Sequence, residues 1–302
     1  VEPGLRKPPM TRSTSLSPRL RAWLERGHFF GHNGQRLFYR AEGQGPPLLL
    51  LHGYPTASWG WHKMWPRLTE SFHAVAPDLL GSGFSDKPVA GPYAIEPLAD
   101  GVEALMAHLG IEAPHVLAHA YGVTTAQGLL ARHLEGSGTL RLRSVCFVNG
   151  GLFPEGTRPT LTQKLLLSPV GDWICRHFPQ PYSAFRRKLA RNFGPETRPS
   201  EEEMRELWQV MSYNDGHKVA ARVLGYLRQR RTRRDRWVGA LERADIPLQL
   251  INGAADPVSG EGVPRLWRRH VPHGRLVELD PGIGHYPPLE APEATFQSVL
   301  AF

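Results

Sequence analysis

With 302 residues, 41% of them hydrophobic and 21% charged, the chain has the composition of a globular protein of one large domain, or of one domain with an insertion. No apolar run approaches the roughly 18 residues that span a bilayer, and the N-terminus lacks the apolar core of a signal peptide. We therefore expect a soluble protein with no stable membrane insertion and a cytoplasmic location. The sequence does not indicate an oligomeric state.

Much of the net charge of +8 lies in one stretch, RQRRTRRDRW at 228–237, which holds six arginines. Such a run is typical of a solvated helix face. The alternatives are attraction to an anionic substrate, to a lipid surface or to nucleic acid. Because no aromatic residues interleave with these arginines and no nucleic-acid motif accompanies them, we expect no nucleic-acid partner.

Strand and helix patterns alternate after a proline- and serine-rich segment at 1–18 that indicates a loose tail. QRLFYRAEG alternates apolar and polar residues, as an edge strand does. PPLLLLHG at 46–53 is a continuous aliphatic run, typical of a strand buried on both faces. IEPLADGVEALMAHLG at 95–110 has helical spacing and ends at Gly110. Further strand patterns occur in SFHAVAPDLLG, PHVLAHAYG, RSVCFVNGG (143–151), IPLQLINGAADP (246–257) and GRLVELDPGIGH (274–285).

The alternation predicts a mostly parallel sheet with helices on both faces and a site at the carboxyl ends of its strands. Between Gly151 and about Ala240 the sequence is helical, arginine-rich and aromatic, with no buried-strand run, and it is too long for a connection. We interpret it as an inserted helical cap. The predicted divisions are a tail at 1–18, a first half of the core at 19–151, the cap at 152–240 and a second half of the core at 241–302.

Four candidate pieces of a catalytic site follow predicted strands. They are HGYPTASWGW at 52–61, the turn inside VLAHAYGVTTA at 116–126, Asp256 and His285. The chain order nucleophile, acid, histidine is that of α/β-hydrolases. Asp256 suits the acid that orients an imidazole, His285 suits the base, and the backbone N–H groups of Tyr54 and Tyr121 suit an oxyanion hole. The turn places Ala120 at the nucleophile position, and a methyl group cannot attack a substrate.

Other motifs predict no metal and no cofactor. DLLGSGFSDKP at 78–88 is a glycine-rich loop that shapes a site, and no Gly-Lys-Ser/Thr follows it as in a phosphate loop. His115 and His119 are four residues apart but straddle a strand and a turn. Cys146 and Cys175 fit no metal spacing, so we expect two free thiols in a reducing compartment.

Several segments resemble the mesoderm-specific transcript branch of the α/β-hydrolases, which is close to epoxide hydrolases and haloalkane dehalogenases. The similarity runs from about residue 20 to the end of the chain. Several of these segments lie in the predicted cap, where general hydrolases differ most. The segments are LAHAYG, VNGGLFPEGTRPTLTQKLL, FGPETRPSEEEM, YNDGHKV, RRDRWVGAL and DPVSG.

The resemblance implies an aspartate at position 120, between His119 and Tyr121. Ala118, in place of the usual glycine, is in keeping with the branch, whereas the absent carboxylate is not. An engineered substitution that traps substrate fits the otherwise intact site better than a natural pseudoenzyme does. A serine parent, and hence an esterase, is the alternative hydrolase. In each case we expect the chain as given to be catalytically dead.

The resemblance also suggests which residues contact a substrate. Haloalkane dehalogenases carry a tryptophan after the nucleophile, where this chain has Tyr121, and usually asparagine or tryptophan at the position of Tyr54. Both departures favour an epoxide hydrolase, whose cap tyrosines donate to the epoxide oxygen. We expect a small apolar organic substrate, because the cap is rich in aromatic residues and leucines. The candidate substrate-binding residues are His52, Trp59, Trp61, His119, Tyr182, Tyr213 and Tyr226.

Overall fold

An eight-stranded, mostly parallel sheet forms the centre of the protein, as the alternating patterns predict. The computed structural model describes residues 16–157, 159–178 and 180–302. The strands lie in the order β1-β2-β4-β3-β5-β6-β7-β8. Their bounds are β1 His28–His32, β2 Gln35–Glu42, β3 Pro47–Leu51, β4 His73–Pro77, β5 His115–His119, β6 Ser144–Val148, β7 Leu248–Asn252 and β8 Arg275–Glu278.

The antiparallel part of the sheet corrects one expectation. β2 pairs antiparallel with both β1 and β4, while β3 to β8 pair in parallel. QRLFYRAEG was expected at the edge, but β1 covers it, and β1 takes the edge position. The alternating pattern of β2 reflects its partial burial. Such a pattern does not distinguish a strand at the edge of the sheet from the strand beside the edge.

Helices cover both faces of the sheet and bury two apolar clusters between themselves and the strands. α3 confirms the helix predicted at 95–110: it ends at His108, and Gly110 follows with φ 69°. The helices of the two core segments are α1 Pro18–Glu25, α2 Trp65–Ser71, α3 Ile95–His108, α4 Tyr121–Glu135, α12 Gly262–His270, α13 Pro287–Glu290 and α14 Pro292–Leu300.

The segment between β6 and β7 consists of helices and loops and contains no strand among its described residues. Its last helix, α11, packs against α4 of the core, and both helices contribute side chains to one of the two apolar clusters. The remaining helices precede it and form what we call the inserted segment, residues 152–232. The helices from β6 to β7 are α5 Leu161–Leu166, α6 Gly171–His177, α7 Tyr182–Leu189, α8 Glu201–Ser212, α9 Ala220–Val223, α10 Tyr226–Thr232 and α11 Arg234–Glu242.

The folded chain begins earlier than the predicted tail boundary at residue 18. Leu16 is buried, and the Ser17 side chain accepts a hydrogen bond from the Leu20 N–H at 3.2 Å, which caps α1. Ser17 also donates to Glu206 Oε1 on α8 at 2.8 Å. The rest of the predicted tail, residues 1–15, lies outside the described residues.

Two sequence expectations concern thiols and membranes. Cys146 and Cys175 are both buried and unpaired. No helix within the described part of the chain is long and apolar enough to cross a bilayer. The predicted cytoplasmic location stays a prediction.

Candidate active site

A sharp turn between β5 and α4 holds Ala120 in a strained conformation. Its backbone has φ 48° and ψ −97°, a region that costs an alanine on the order of 1–3 kcal/mol. The helix can start this close to the sheet because residue 122 is glycine: a Cβ there would lie 2.2 Å from the Leu51 carbonyl oxygen. The geometry is that of a nucleophile elbow, although the side chain it presents is a methyl group.

Asp256 and His285 form a buried acid–base pair beside this turn. Asp256 follows β7, and its Oδ2 lies 2.8 Å from His285 Nδ1. The Val258 N–H donates to Asp256 Oδ1 at 2.8 Å, and the Ser259 hydroxyl donates to Oδ2. Burial favours a higher pKa, but the charge of His285 and these hydrogen bonds outweigh it and hold the pKa of Asp256 below its usual value. The carboxylate is therefore available to orient the imidazole.

Further polar side chains tie the surrounding loops together. Asn149, after β6, donates to the Gly284 carbonyl and accepts from the Gly253 N–H, each at 2.8 Å. The Glu290 carboxylate accepts from the N–H groups of Gly284 and Gly194, also at 2.8 Å. The second bond attaches the loop of His285 to the inserted segment. Neither residue was predicted from the sequence, because their partners are backbone groups and most of these are distant in the chain.

A cavity of about 750 Å³ opens over the turn and is closed by the inserted segment. Ala120, His285, Tyr54 and Tyr121 all line it, so the predicted pieces meet in one place. His285 uses Nδ1 for Asp256, and its Nε2 has no hydrogen-bond partner among the described residues. Apolar side chains of the inserted segment dominate the opposite wall: Leu161, Leu165, Leu166, Ile174, Phe178, Phe185, Leu189, Met211, Leu224 and Leu227.

The positions of Tyr54 and Tyr121 are compatible with the predicted oxyanion hole. Tyr54 follows β3, and Tyr121 is the first residue of α4. The first N–H groups of a helix have no acceptor within the helix and carry its positive dipole end. An oxyanion formed at the cavity floor would meet such a group at Tyr121. The oxyanion role of both tyrosines stays a prediction.

Of the three tyrosines proposed from the inserted segment, Tyr226 alone lines the cavity. Its hydroxyl has no hydrogen-bond partner among the described residues, and burial raises its pKa, which keeps it protonated at neutral pH. Tyr182 instead donates to Glu201 Oε1 at 2.8 Å on the surface of the segment. Tyr213 packs edge-on against Phe84, with ring centroids 4.9 Å apart. Tyr182 and Tyr213 therefore lie outside the cavity, contrary to expectation.

The four candidates from the core also lie outside the cavity lining. His52 accepts from the Leu79 N–H at 2.9 Å through Nε2, and its Nδ1 lies 2.8 Å from the Gly53 carbonyl. His119 Nε2 donates to the backbone carbonyl of His285 at 2.8 Å. Trp59 and Trp61 are buried in one of the two apolar clusters of the core. The two histidines hold the site's loops, because ring nitrogens of both are already bonded inside the protein, and the two tryptophans fill the core.

Two buried histidines, His52 and His119, and the half-buried His62 predict that the fold loses stability in acid. Burial lowers the pKa of His52, His62 and His119, to about 4 for His62 and about 3 for His119. An unfolded histidine titrates near pH 6.5, so unfolding takes up protons between about pH 3 and pH 6.5. The stability present above pH 6.5 is lost as the pH falls through this window, by up to about 1.4 kcal/mol per pH unit for each proton.

Urea denaturation at pH 7.5 and pH 5 measures this loss. We expect His119→Gln, which keeps a donor for the His285 carbonyl, to lose less stability between the two pH values than the parent chain does. The same loss in both chains would contradict a lowered pKa of His119.

Arg230 is the main cavity residue that the sequence analysis missed. It was counted within the solvated arginine stretch, and this interpretation is wrong for Arg230, whose exposed fraction is 5%. The neighbouring Arg228, Arg231 and Arg233 are exposed as predicted. The helical period of α10 turns Arg230 to the same side as Tyr226, four residues earlier. This four-residue spacing could have indicated from the sequence that Arg230 faces the cavity.

No metal site accompanies this arrangement. Among the described residues, no group of three or more histidine, cysteine, aspartate or glutamate side chains is placed to hold a metal ion.

Comparisons with known proteins identify the family of the chain. Residues 46–292 match the family model of the alpha/beta hydrolase fold. The chain is 43% identical to the mesoderm-specific transcript homolog protein of Bos taurus, over 95% of this chain and 88% of that protein. A 94-residue part is 40% identical to a soluble epoxide hydrolase of a Corynebacterium species, covering 31% of this chain and 32% of that enzyme.

A solved structure extends the likeness to the whole fold. The haloalkane dehalogenase DbeA of Bradyrhizobium elkani is 26% identical and superposes with a TM-score of 0.75, covering 91% of this chain and 96% of that one. Fold, loop order and sequence therefore agree, and the chain belongs to the alpha/beta hydrolase family, as a member of its mesoderm-specific transcript group.

Proposed function

We propose that this chain is an epoxide-hydrolase-type α/β-hydrolase in which Ala120 replaces an aspartate nucleophile. The main observation behind this proposal is that the Asp256–His285 pair and a strained elbow lie at one apolar cavity. The side chain that the elbow presents there is only the methyl group of Ala120. Strain of this kind persists where a function requires it. The chain as given binds substrate and forms no covalent intermediate.

With aspartate at position 120, the reaction has two steps. A carboxylate oxygen attacks an epoxide carbon, the carbon–oxygen bond of the ring breaks, and the alkoxide takes the proton of the Tyr226 hydroxyl. His285, oriented by Asp256, then removes a proton from water as the water attacks the ester carbonyl. The N–H groups of Tyr54 and Tyr121 stabilise the oxyanion, and His285 returns its proton to the departing diol oxygen. The carboxylic acid that remains at position 120 gives its proton to the Tyr226 phenolate, which regenerates both groups.

Two other functions are open to the same cavity. A serine at position 120 would give an esterase, because the acid–histidine pair and the oxyanion loops serve acyl transfer equally well. A binding protein is favoured by Ala120 itself, since nothing on the elbow can react with a ligand held in the cavity. The similarity to an epoxide hydrolase over 94 residues favours aspartate over serine.

The test compares the chain as given with Ala120→Asp and Ala120→Ser on panels of aryl epoxides, alkyl epoxides and p-nitrophenyl esters. Epoxide hydrolysis by Ala120→Asp alone supports the proposal. Ester hydrolysis by Ala120→Ser, with no epoxide turnover by either variant, supports the esterase. If no variant turns over any substrate while ligands still bind, the binding protein becomes the better description.

A further inference from the structure

Arg230 is a buried cation at the floor of the cavity. It lies on α10, lines the cavity, and is 5% exposed. The other arginines of the 228–237 stretch reach solvent or acidic partners; Arg234, for example, pairs with Glu155, and Arg236 with Glu135. Arg230 forms no ion pair among the described residues.

The contacts of Arg230 are all with neutral groups. Its Nε donates to Thr124 Oγ1 at 2.7 Å, and its Nη2 donates to the Ala120 carbonyl oxygen at 3.2 Å. The Tyr226 ring lies 4.8 Å from the guanidinium carbon. Burial lowers the pKa of Arg230, yet a guanidinium stays charged in proteins. Burying a charge without an opposite charge is costly, so this position calls for an anionic partner.

In the chain as given, with alanine at position 120, the described lining of the cavity provides no such partner. No aspartate or glutamate is among its described lining residues, whereas Lys188 and Arg191 line it as further cations. Both are largely solvent-exposed or half-exposed, and neither forms an ion pair with a described residue. The cavity as a whole therefore attracts negative charge.

Gly151 lets the main chain pack closely against the guanidinium. A Cβ on Gly151 would lie 2.1 Å from Arg230 Nη1, so a glycine there leaves this nitrogen clear. Nη1 has no hydrogen-bond acceptor among the described residues. Arg230 touches residue 120 through its backbone oxygen, which leaves the side-chain position on the elbow free.

We propose that Arg230 binds the carboxylate of an amphiphilic ligand whose apolar part occupies the leucine- and phenylalanine-lined remainder of the cavity. The inference rests on the proposed function only in taking this cavity as the substrate site. It narrows the substrate class from apolar molecules to apolar molecules that carry a carboxylate. The sequence analysis considered that the arginine stretch at 228–237 attracts an anionic substrate. The proposal gives this role to Arg230.

Calorimetric titration with octanoate and octan-1-ol at pH 8 tests this assignment, because Ala120 cannot react with either. We expect the chain as given to bind octanoate about ten- to a hundred-fold more tightly, the range typical of a charged hydrogen-bonded contact. Arg230→Gln should bind the two ligands equally, with octan-1-ol binding unchanged. Arg231→Gln, an exposed neighbour on the same helix, should retain the full preference for octanoate.

Equal affinities in the parent chain, absence of binding by either ligand, or an unchanged preference in Arg230→Gln would each overturn the proposal. Circular dichroism and octan-1-ol binding show whether Arg230→Gln is folded. If it is not, Arg230→Lys takes its place, and it should keep a reduced preference for octanoate; the comparison in the parent chain decides independently of either variant. A clear octanoate preference without epoxide turnover by Ala120→Asp would retain the anion site and reject the proposed function.

Discussion

Ala120→Asp is expected to hydrolyse a suitable epoxide about 10⁶-fold faster than the chain as given, since loss of a nucleophile in a catalytic triad costs on this order. The rest of the machinery is in position: His285 is held by Asp256 at 2.8 Å, and Tyr226 presents an unbonded hydroxyl to the same cavity. The backbone at residue 120 already has the positive φ of an elbow. The new carboxylate therefore needs no rearrangement of the main chain.

Ala120→Asn is the matched control for this prediction, because asparagine has nearly the shape of aspartate without its charge. Initial rates of diol formation, measured with each chain at saturating epoxide, give the comparison. We expect Ala120→Asn to remain as inactive as the parent. Equal rates for the Asp and Asn variants would show that position 120 does not supply the nucleophile.

A second large effect is expected when His285→Gln is added to Ala120→Asp. The attack on the epoxide needs the carboxylate and Tyr226, whereas hydrolysis of the resulting ester needs the base at position 285. Diol release should fall by about 10⁴-fold or more, while the ester accumulates. Intact-protein mass spectrometry should then show the mass of the chain increased by one epoxide molecule.

The single variant Ala120→Asp serves as the control, since its ester should turn over and leave little adduct. The parent chain mixed with epoxide should show no adduct at all. An adduct on the parent would point to another nucleophile in the cavity, where Cys175 is also a lining residue. Diol formation by the double variant at the rate of Ala120→Asp would remove His285 from the reaction.

Local patterns gave most of the fold and the four pieces of the site. Aliphatic runs such as the one that became β3 identify buried strands, because a strand covered on both faces must be apolar at every position. Ala120 and Asp256 could be proposed because each follows such a strand, and His285 because it follows the less buried strand β8. Parallel strands bring their carboxyl ends to the same edge.

The direction in which each side chain points could not be predicted from local sequence patterns. Tyr182, Tyr213 and Tyr226 are equivalent as sequence, but helix packing leaves only Tyr226 facing the cavity. Likewise, His52 and His119 are as suited to a substrate as His285 until their hydrogen bonds to the Leu79 N–H and the His285 carbonyl are known. These differences depend on partners that are far away in the chain.

The sequence by itself therefore determined the sheet and the order of the candidate site residues along it, because these depend on residue type and short-range spacing. The replacement of a nucleophile by Ala120 remains our proposal. Only the tertiary structure decided the burial of Arg230, whose immediate neighbours Gln229 and Arg231 are more exposed than it is. A helix presents successive residues to different surroundings, and which of them faces a cavity depends on the elements packed around it. The charge at the floor of this site is thus a property of the packed molecule.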